Sequence, residues 1–157
     1  MKPVVADATP IRYLTEIRAV RILPYLFGKV FIPNAVFREL THRHTPKIVH
    51  DFIVSSPEWL EVRTVVSTDH SLSALDPGER EAILLADEIG AEVILLDEKA
   101  ARNAAEQRGV RCVGTLRILS DGAKEGQIDI YRAVSRLRQT TFRAKPALFE
   151  KALSGSL

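Results

Sequence analysis

Short apolar runs alternate with longer amphipathic stretches along most of this chain. The predicted strands are residues 3–6, 30–32, 59–62, 93–96 and 110–113. The run at 93–96 consists of four aliphatic residues, which is typical of a strand buried in the middle of a sheet. Residues 59–62 alternate between apolar and polar, which instead indicates an edge strand.

Between these runs, apolar residues recur three and four positions apart, which predicts helices. Thr9 followed by Pro10 matches the N-cap and first position of a helix, so the first strand should turn directly into a helix. Residues 66–75 contain interspersed Ser and Thr and predict no clear element. The predicted helices are residues 10–17, 19–27, 35–42, 45–54, 79–89, 99–108, 114–124, 129–139 and 145–153.

Strands that alternate with helices of about ten residues are typical of a parallel sheet covered on both faces. We therefore predict an α/β fold for residues 1–125. Residues 126–157 are predicted to be a C-terminal helical extension packed on the same domain. Ligands of parallel sheets bind beyond the carboxyl ends of the strands, so polar residues directly after a strand are the first candidates for a site.

Composition narrows the class of protein. The 157 residues include one cysteine, Cys112, which excludes an intramolecular disulfide and a thiolate metal site. The N-terminus lacks the apolar run of a signal peptide, and no stretch of eighteen apolar residues is present. These features predict a cytoplasmic protein that does not associate with membranes.

The net charge of +2 does not by itself argue for nucleic acid, but the charges are segregated along the chain. Residues 69–98 contain nine acidic residues and one basic residue. Residues 130–149 contain no acidic residue and five basic ones: Arg132, Arg136, Arg138, Arg143 and Lys145. Segregation of this kind can combine a metal centre with an anion-attracting flank, although a solvated basic helix face explains the second segment equally well.

Acidic residues at strand ends and helix starts are the main candidates for chemistry. Asp7 and Asp97 are each the first polar residue after a predicted strand, and Glu39 borders the apolar face of its helix. Glu79 and Glu81 both flank the apolar stripe of their helix, and spacing does not choose between them. Carboxylates that converge cannot all stay ionised without a counter-charge, which a divalent cation with oxygen ligands normally supplies.

Each of these acids also has a purely structural interpretation. Asp7 could cap the next helix, although Thr9 is better placed for that role. Glu39 could be solvated, and either Glu79 or Glu81 could simply complement the helix dipole. The sequence contains no phosphate-binding glycine loop, no dinucleotide fingerprint and no nucleophile elbow. Its histidines show no metal-ligand spacing.

Four segments of the chain carry a resemblance to a known family. They read VVADATPI at 4–11, VFIPNAVFREL at 30–40, LDPGEREAI at 75–83 and ILLDEKAAR at 94–102. In this order they resemble the PIN-domain ribonucleases, particularly the VapC-like toxins and related predicted nucleic-acid-binding PIN proteins. The tail, from residue 137 to 153, is similar to that of one such subfamily.

The resemblance implies a three-layer α/β/α sandwich with a four- or five-stranded parallel sheet. It implies that Thr9 is a supporting hydroxyl and that four acids are metal ligands: Asp7, Glu39, Glu81 and Asp97. Glu81 is chosen over Glu79 because family members place an acid immediately before an Ala-rich helix face. The third acid is often aspartate in the toxins, whereas it is glutamate here.

The function implied is a Mg²⁺- or Mn²⁺-dependent endoribonuclease, acting as the toxin of a toxin–antitoxin pair. Its expected partners are RNA, an antitoxin protein and a second copy of the chain. Basic side chains would hold the RNA backbone: Arg12, Arg43, Arg102 and the segment 132–145. The alternative is an inactive PIN-like module that binds nucleic acid without cleaving it. A regulatory domain that uses Mg²⁺ for phosphotransfer is disfavoured, because Asp7 has no acidic neighbour.

Overall fold

A computed structural model of the chain describes residues 2–157. Its strands are β1 (Val4–Ala6), β2 (Val30–Pro33), β3 (Leu60–Arg63), β4 (Val93–Leu95) and β5 (Arg111–Val113). They form one sheet in the order β3-β2-β1-β4-β5, and every neighbouring pair is parallel. The predicted parallel sheet is therefore confirmed, with five strands and with β3 at an edge.

Helices connect and extend these strands. They are α1 (Ala8–Glu16), α2 (Ile22–Phe27), α3 (Asn34–Leu40), α4 (Lys47–Val54), α5 (Pro77–Ile89), α6 (Lys99–Gln107), α7 (Thr115–Lys124), α8 (Ile130–Arg138) and α9 (Pro146–Ser154). A short 3-10 helix, His70–Leu72, lies in the segment for which the sequence predicted no element. The longest helix has 13 residues. Within residues 2–157 no helix combines the length and apolar character needed to span a membrane.

Helix α2 begins three residues later than the sequence pattern predicted. Arg18 takes a left-handed conformation, with φ of 63°, directly after α1. The backbone amide of Ala19 then donates to the carbonyl of Leu14 at 2.8 Å, which closes the end of α1 in the manner of a Schellman motif. The amides of residues 17–19 thus bond to the last carbonyls of α1, and residues 19–21 form a turn closed by the bond from the amide of Ile22 to the carbonyl of Ala19.

The helices cover both faces of the sheet. Successive strand residues point to opposite faces, so Val5 and Ile94 pack against α5 and α6, whereas Ala6 and Leu95 pack against the layer that contains α1 and α7. The strands are buried on both sides, which is why they read as continuous aliphatic runs. The three-layer α/β/α sandwich is thereby confirmed.

The C-terminal helices pack onto the layer that contains α1. The ring of Phe142, in the link between α8 and α9, meets Tyr13 edge-on at 5.3 Å and Phe149 edge-on at 6.2 Å between ring centroids. The hydroxyl of Tyr13 also forms a 2.7 Å hydrogen bond with Oγ1 of Thr141. The separation of the chain into a domain at 1–125 and an extension at 126–157 stays a prediction.

The order of the strands creates one topological switch point. The chain leaves β1 toward β2 and β3 on one side, and places β4 and β5 on the other. A crevice opens beyond the carboxyl ends of the strands at such a point. Here the backbone amide of Asp7 donates to the carbonyl of Leu95 at 2.9 Å, so Asp7 and Asp97 follow neighbouring strands at this edge.

Candidate functional site

Asp7 lies buried at the end of β1, with 5% of its surface exposed. Its extended backbone, with φ of −79° and ψ of 170°, makes it the N-cap residue of α1, and its side chain makes no capping hydrogen bond. The prediction that Thr9 is the cap was wrong, because the helix already begins at Ala8. Thr9 instead lies half-buried in the first turn.

Three other carboxylates act on Asp7. Burial is the main cause that raises the pKa of Asp7 to about 8, and the charges of Glu39, Asp76 and Glu79 raise it further. A hydrogen bond from the backbone of Ala8 opposes the shift. The structure therefore gathers Asp7 and Glu39 as predicted, but it gathers them with Asp76 and Glu79.

Gly78 allows the start of α5 to approach Asp7 this closely. A Cβ atom at position 78 would lie 3.3 Å from Oδ1 of Asp7 and 3.6 Å from Oδ1 of Asp76. Contacts near 3.3 Å already require the neighbouring atoms to shift. The absence of a side chain at Gly78 therefore keeps the first turn of α5 beside the end of β1.

Asp76 and Glu79 hold each other in a capping box at the start of α5. The amide of Glu79 donates to Oδ1 of Asp76 at 2.9 Å, and the amide of Asp76 donates to Oε1 of Glu79 at 3.2 Å. Burial, followed by the charge of Asp76, raises the pKa of Glu79 to about 7. Neither residue was among the predicted ligands, although the spacing of an N-cap acid and a glutamate three residues later was a usable signal.

Glu39 extends from α3 toward this group. It keeps contact with solvent. Its pKa is nevertheless raised, mainly by desolvation within the surrounding protein and then by the charge of Asp76, whereas Arg12 lowers it. Nε of Arg12 also lies 3.2 Å from Oε2 of Glu16. The charge of Arg12 therefore acts both on Glu39 at this edge and on Glu16 at the far end of α1.

Glu81 makes its contacts with helix α3. It follows Glu79 by two residues and so lies about 200° around the helix. Its Oε1 accepts a 3.1 Å hydrogen bond from the amide of Ala35, and its Oε2 lies 3.7 Å from Nη2 of Arg38. Glu81 thus satisfies the start of α3. Its role as a metal ligand stays a prediction, and the structure places Glu79 beside Asp7.

Asp97 is held at the end of the neighbouring strand by the start of α7. Its carboxylate accepts hydrogen bonds from the amide of Thr115 at 2.9 Å and from the hydroxyl of Thr115 at 2.6 Å. Burial raises the pKa of Asp97, while these bonds and the charge of Arg102 oppose the shift. A Cβ at Gly114 would lie 2.9 Å from Asp97 Oδ1, so this approach requires glycine.

A comparison with family models decides the family. The model described as a PIN domain matches residues 3–156. The chain belongs to the PIN-domain family. PIN domains are generally nucleases, which are hydrolases, and they typically depend on divalent metal ions. The match includes the C-terminal helices as well as the sheet. No curated protein matches the sequence.

The donors at this edge suit a divalent cation in their chemistry. Asp7, Glu39 and Glu79 offer only carboxylate oxygens, the ligands that Mg²⁺ and Mn²⁺ prefer. The raised pKa values of Asp7 and Glu79 show that ionising these groups is costly here, and a cation removes that cost. Within residues 2–157 no three His, Cys, Asp or Glu side chains already converge in ligand geometry.

The stability of the metal-free PIN domain should fall as pH rises from about 4 to about 8. Asp7 and Glu79 have a higher pKa in the folded chain than their ordinary values of 3.8 and 4.5, so their protonated forms favour folding and their ionisation opposes it. Mn²⁺ binds the ionised groups and should reverse this trend. Thermal unfolding at pH 5.5 and pH 8.5, with EDTA or with MnCl₂, measures both effects.

The expected result is a lower Tm at pH 8.5 than at pH 5.5 in EDTA, together with a larger Mn²⁺ stabilisation at pH 8.5. Salt-bridged acids such as Asp51 and Glu61 have lowered pKa values and titrate below this range, so they do not mask the effect. A Tm that is constant or rises with pH in EDTA would contradict the prediction.

Proposed function

We propose that this PIN domain is a Mg²⁺- or Mn²⁺-dependent endoribonuclease that hydrolyses RNA phosphodiester bonds. The observation that carries the proposal is the buried carboxylate of Asp7, which the fold places among three further acids at the switch point of the sheet. Such an arrangement opposes the ionisation of its own carboxyl groups, and carboxyl groups with strongly perturbed pKa values cluster at functional sites. The family of nucleases to which the chain belongs supports the same conclusion.

The residues at this edge would have separate roles. Asp7, Glu39 and Glu79 would hold the cation, with Thr9 as a supporting hydroxyl. Asp97 would face the substrate from the neighbouring strand, fixed by its two bonds with Thr115. When bound, the cation lowers the pKa of a water and offsets charge on the phosphate. Burial of Asp7 and Glu79 keeps bulk water from competing for these two carboxylates.

The assignment of a toxin role, an antitoxin partner and a homodimer rests on the sequence resemblance alone. We propose that the ribonuclease is the toxin of a toxin–antitoxin pair, that an antitoxin protein binds it, and that the PIN domain forms a homodimer. Coexpression with the protein encoded next to it tests the pairing. Growth arrest on expression alone, relieved by the neighbouring protein, is the expected result, and unimpaired growth would contradict it.

Cleavage of RNA beside an Asp97→Asn variant tests the proposed activity. Asparagine keeps an acceptor for the amide of Thr115 and a donor for its hydroxyl, so the fold should be retained. The wild type should cut a single-stranded RNA internally with Mn²⁺ and not with EDTA. Because even outer partners of metal sites contribute about 10–100-fold, the variant should lose at least about 100-fold.

Full activity of Asp97→Asn, or cleavage that EDTA does not inhibit, would overturn the proposal. Total RNA and a defined oligonucleotide with blocked ends should both be used, because a blocked oligonucleotide separates internal cleavage from exonuclease activity. Circular dichroism and Tm of the variant verify that lost activity does not reflect lost structure.

The second candidate is a PIN-like module that binds RNA without cleaving it. The observation in its favour is that the acids of residues 2–157 do not already converge in ligand geometry. This candidate predicts RNA association that is unchanged by EDTA and no product from any RNA. The proposed ribonuclease predicts product in Mn²⁺, so one experiment separates the two functions.

A further inference from the structure

A groove of about 720 Å³ begins at Asp97 and runs between two parts of the chain that are distant in sequence. One side consists of α6, β5 and the start of α7. The other side, which we name the C-terminal wall, consists of residues 142–157. The groove therefore starts at the proposed active edge and leads away from it along the extension.

Positive charge dominates the lining of the groove. Two acids, Asp97 and Glu106, face six basic residues: Lys99, Arg102, Arg117, Arg143, Lys145 and Lys151. Arg117 is paired with Asp121, with 3.0 Å between Nε and Oδ1, and Arg102 acts on Asp97. The other four form no salt bridge with any of residues 2–157. Their charges are available to a ligand.

The basic residues of segment 132–145 are close in sequence, but in the structure they lie on different surfaces. Arg132 and Arg136 line a separate small cleft together with Arg18. The guanidinium of Arg138 stacks over the ring of Phe149, 4.5 Å from its centroid. Among these arginines and lysines, Arg143 and Lys145 reach the groove. Lys99 and Lys151 join them from other helices, which sequence proximity could not reveal.

The C-terminal wall is anchored to the rest of the fold. Phe142 is 7% exposed and contacts Tyr13 and Phe149 edge-on. Helix α9 begins directly after this link, with Lys145 at its N-cap position. The basic side chains of the wall therefore extend from a backbone that is fixed before any ligand binds, which reduces the entropy cost of binding.

We propose that this groove binds the phosphate backbone of single-stranded RNA and guides it to Asp97. The inference rests on the proposed ribonuclease activity and assigns its substrate path. Flexible lysines and arginines along a groove are typical of proteins that follow a single-stranded backbone. A volume of about 720 Å³ lies in the range of ligand-sized clefts, so the groove has room for a short single-stranded segment.

A charge-removal variant tests the groove without altering the carboxylates. The variant carries Arg143→Gln, Lys145→Gln and Lys151→Gln, and it leaves Lys99 and Arg102 in place near Asp97. The matched control removes three exposed positive charges elsewhere: Arg21→Gln, Lys47→Gln and Arg132→Gln. The two variants have the same net charge, so a difference in their RNA affinity shows that the position of the removed charges matters.

Binding is measured by fluorescence anisotropy with a labelled single-stranded RNA oligonucleotide in EDTA, across a series of salt concentrations. The groove variant should bind at least about tenfold more weakly at 0.1 M salt, and its slope of log K against log salt should fall by about 2 for three lost phosphate contacts. The control variant should keep the affinity and slope of the wild type. Duplex RNA should compete less well than single-stranded RNA.

Three outcomes would contradict the proposal that the groove binds RNA. They are equal RNA affinity in the groove variant and the wild type, equal losses in both variants, and an oligo-glutamate peptide that displaces RNA at matched charge concentration. The last result would assign the groove to an acidic protein partner. Binding in EDTA does not require cleavage, so a groove variant that loses affinity supports the groove even if the wild type never cleaves. If the wild type cleaves RNA and the groove variant binds RNA equally well, the proposed ribonuclease activity stands and only the proposal for the groove fails.

Discussion

Replacing Asp7 by asparagine should abolish RNA cleavage and at the same time stabilise the metal-free protein. The loss of cleavage should be at least about 100-fold, because the change removes the negative charge of a proposed direct ligand, and outer partners of metal sites already contribute about 10–100-fold. The free energy of unfolding at pH 8 should rise, because the raised pKa of Asp7 makes its ionised form costly in the fold.

Cleavage rate and urea denaturation in EDTA measure the two effects on the same preparations. Asp51→Asn is the matched control, since Asp51 is an exposed residue paired with Lys47 on the surface. That variant should cleave as the wild type does and gain no stability. An Asp7→Asn protein that cleaves normally, or that unfolds more easily than the wild type at pH 8, would refute the role assigned to Asp7.

The second large effect separates two glutamates that lie on the same helix. Glu79→Gln should reduce cleavage by about two orders of magnitude, because Glu79 lies beside Asp7 and would supply a charged ligand. Glu81→Gln should reduce it a few-fold at most. The glutamine oxygen can still accept the hydrogen bond from the amide of Ala35, so the start of α3 stays satisfied.

Cleavage rates at saturating Mn²⁺, together with the Mn²⁺ concentration for half-maximal activity, discriminate the two variants. Glutamine is accepted in a capping box, so the pairing with Asp76 and the fold should survive in Glu79→Gln. The opposite order of effects, with Glu81→Gln inactive and Glu79→Gln active, would restore the role that the sequence resemblance gave to Glu81.

Most elements of the fold could be predicted because their signals are local. Strands could be predicted from aliphatic runs that end at Asp7 and Asp97. Helix ends could be predicted from glycines such as Gly90, which follows α5. The boundary between α1 and α2 was missed because it depends on Arg18, a residue whose left-handed backbone has no signal in its side chain. The order of the strands was not predicted, because local patterns do not specify which strands lie side by side.

The candidate site was predictable in part for a related reason. Strand ends located Asp7 and Asp97, because a buried aliphatic run leaves few explanations for the acid that ends it. The choice between Glu79 and Glu81 depended on the phase of α5, which Asp76 sets by capping the helix and pairing with Glu79.

The groove could not be predicted from any one segment. Its two sides come from residues 97–117 and 142–157, and only tertiary packing brings them together. The basic run in the sequence pointed to the correct region, but helical geometry sends Arg132 and Arg136 to a different surface. Sequence charge thus indicated an anion-binding tendency without locating it.

Helix α1 connects the edge that contains Asp7 with the C-terminal wall of the groove. It begins next to Asp7, and its sixth residue, Tyr13, contacts Phe142 at the base of the C-terminal wall. The nine residues of α1 span about 13 Å, so one short helix carries both the backbone that follows Asp7 and the aromatic contact that anchors the wall. A substitution at Tyr13 therefore alters a helix whose first residue directly follows Asp7.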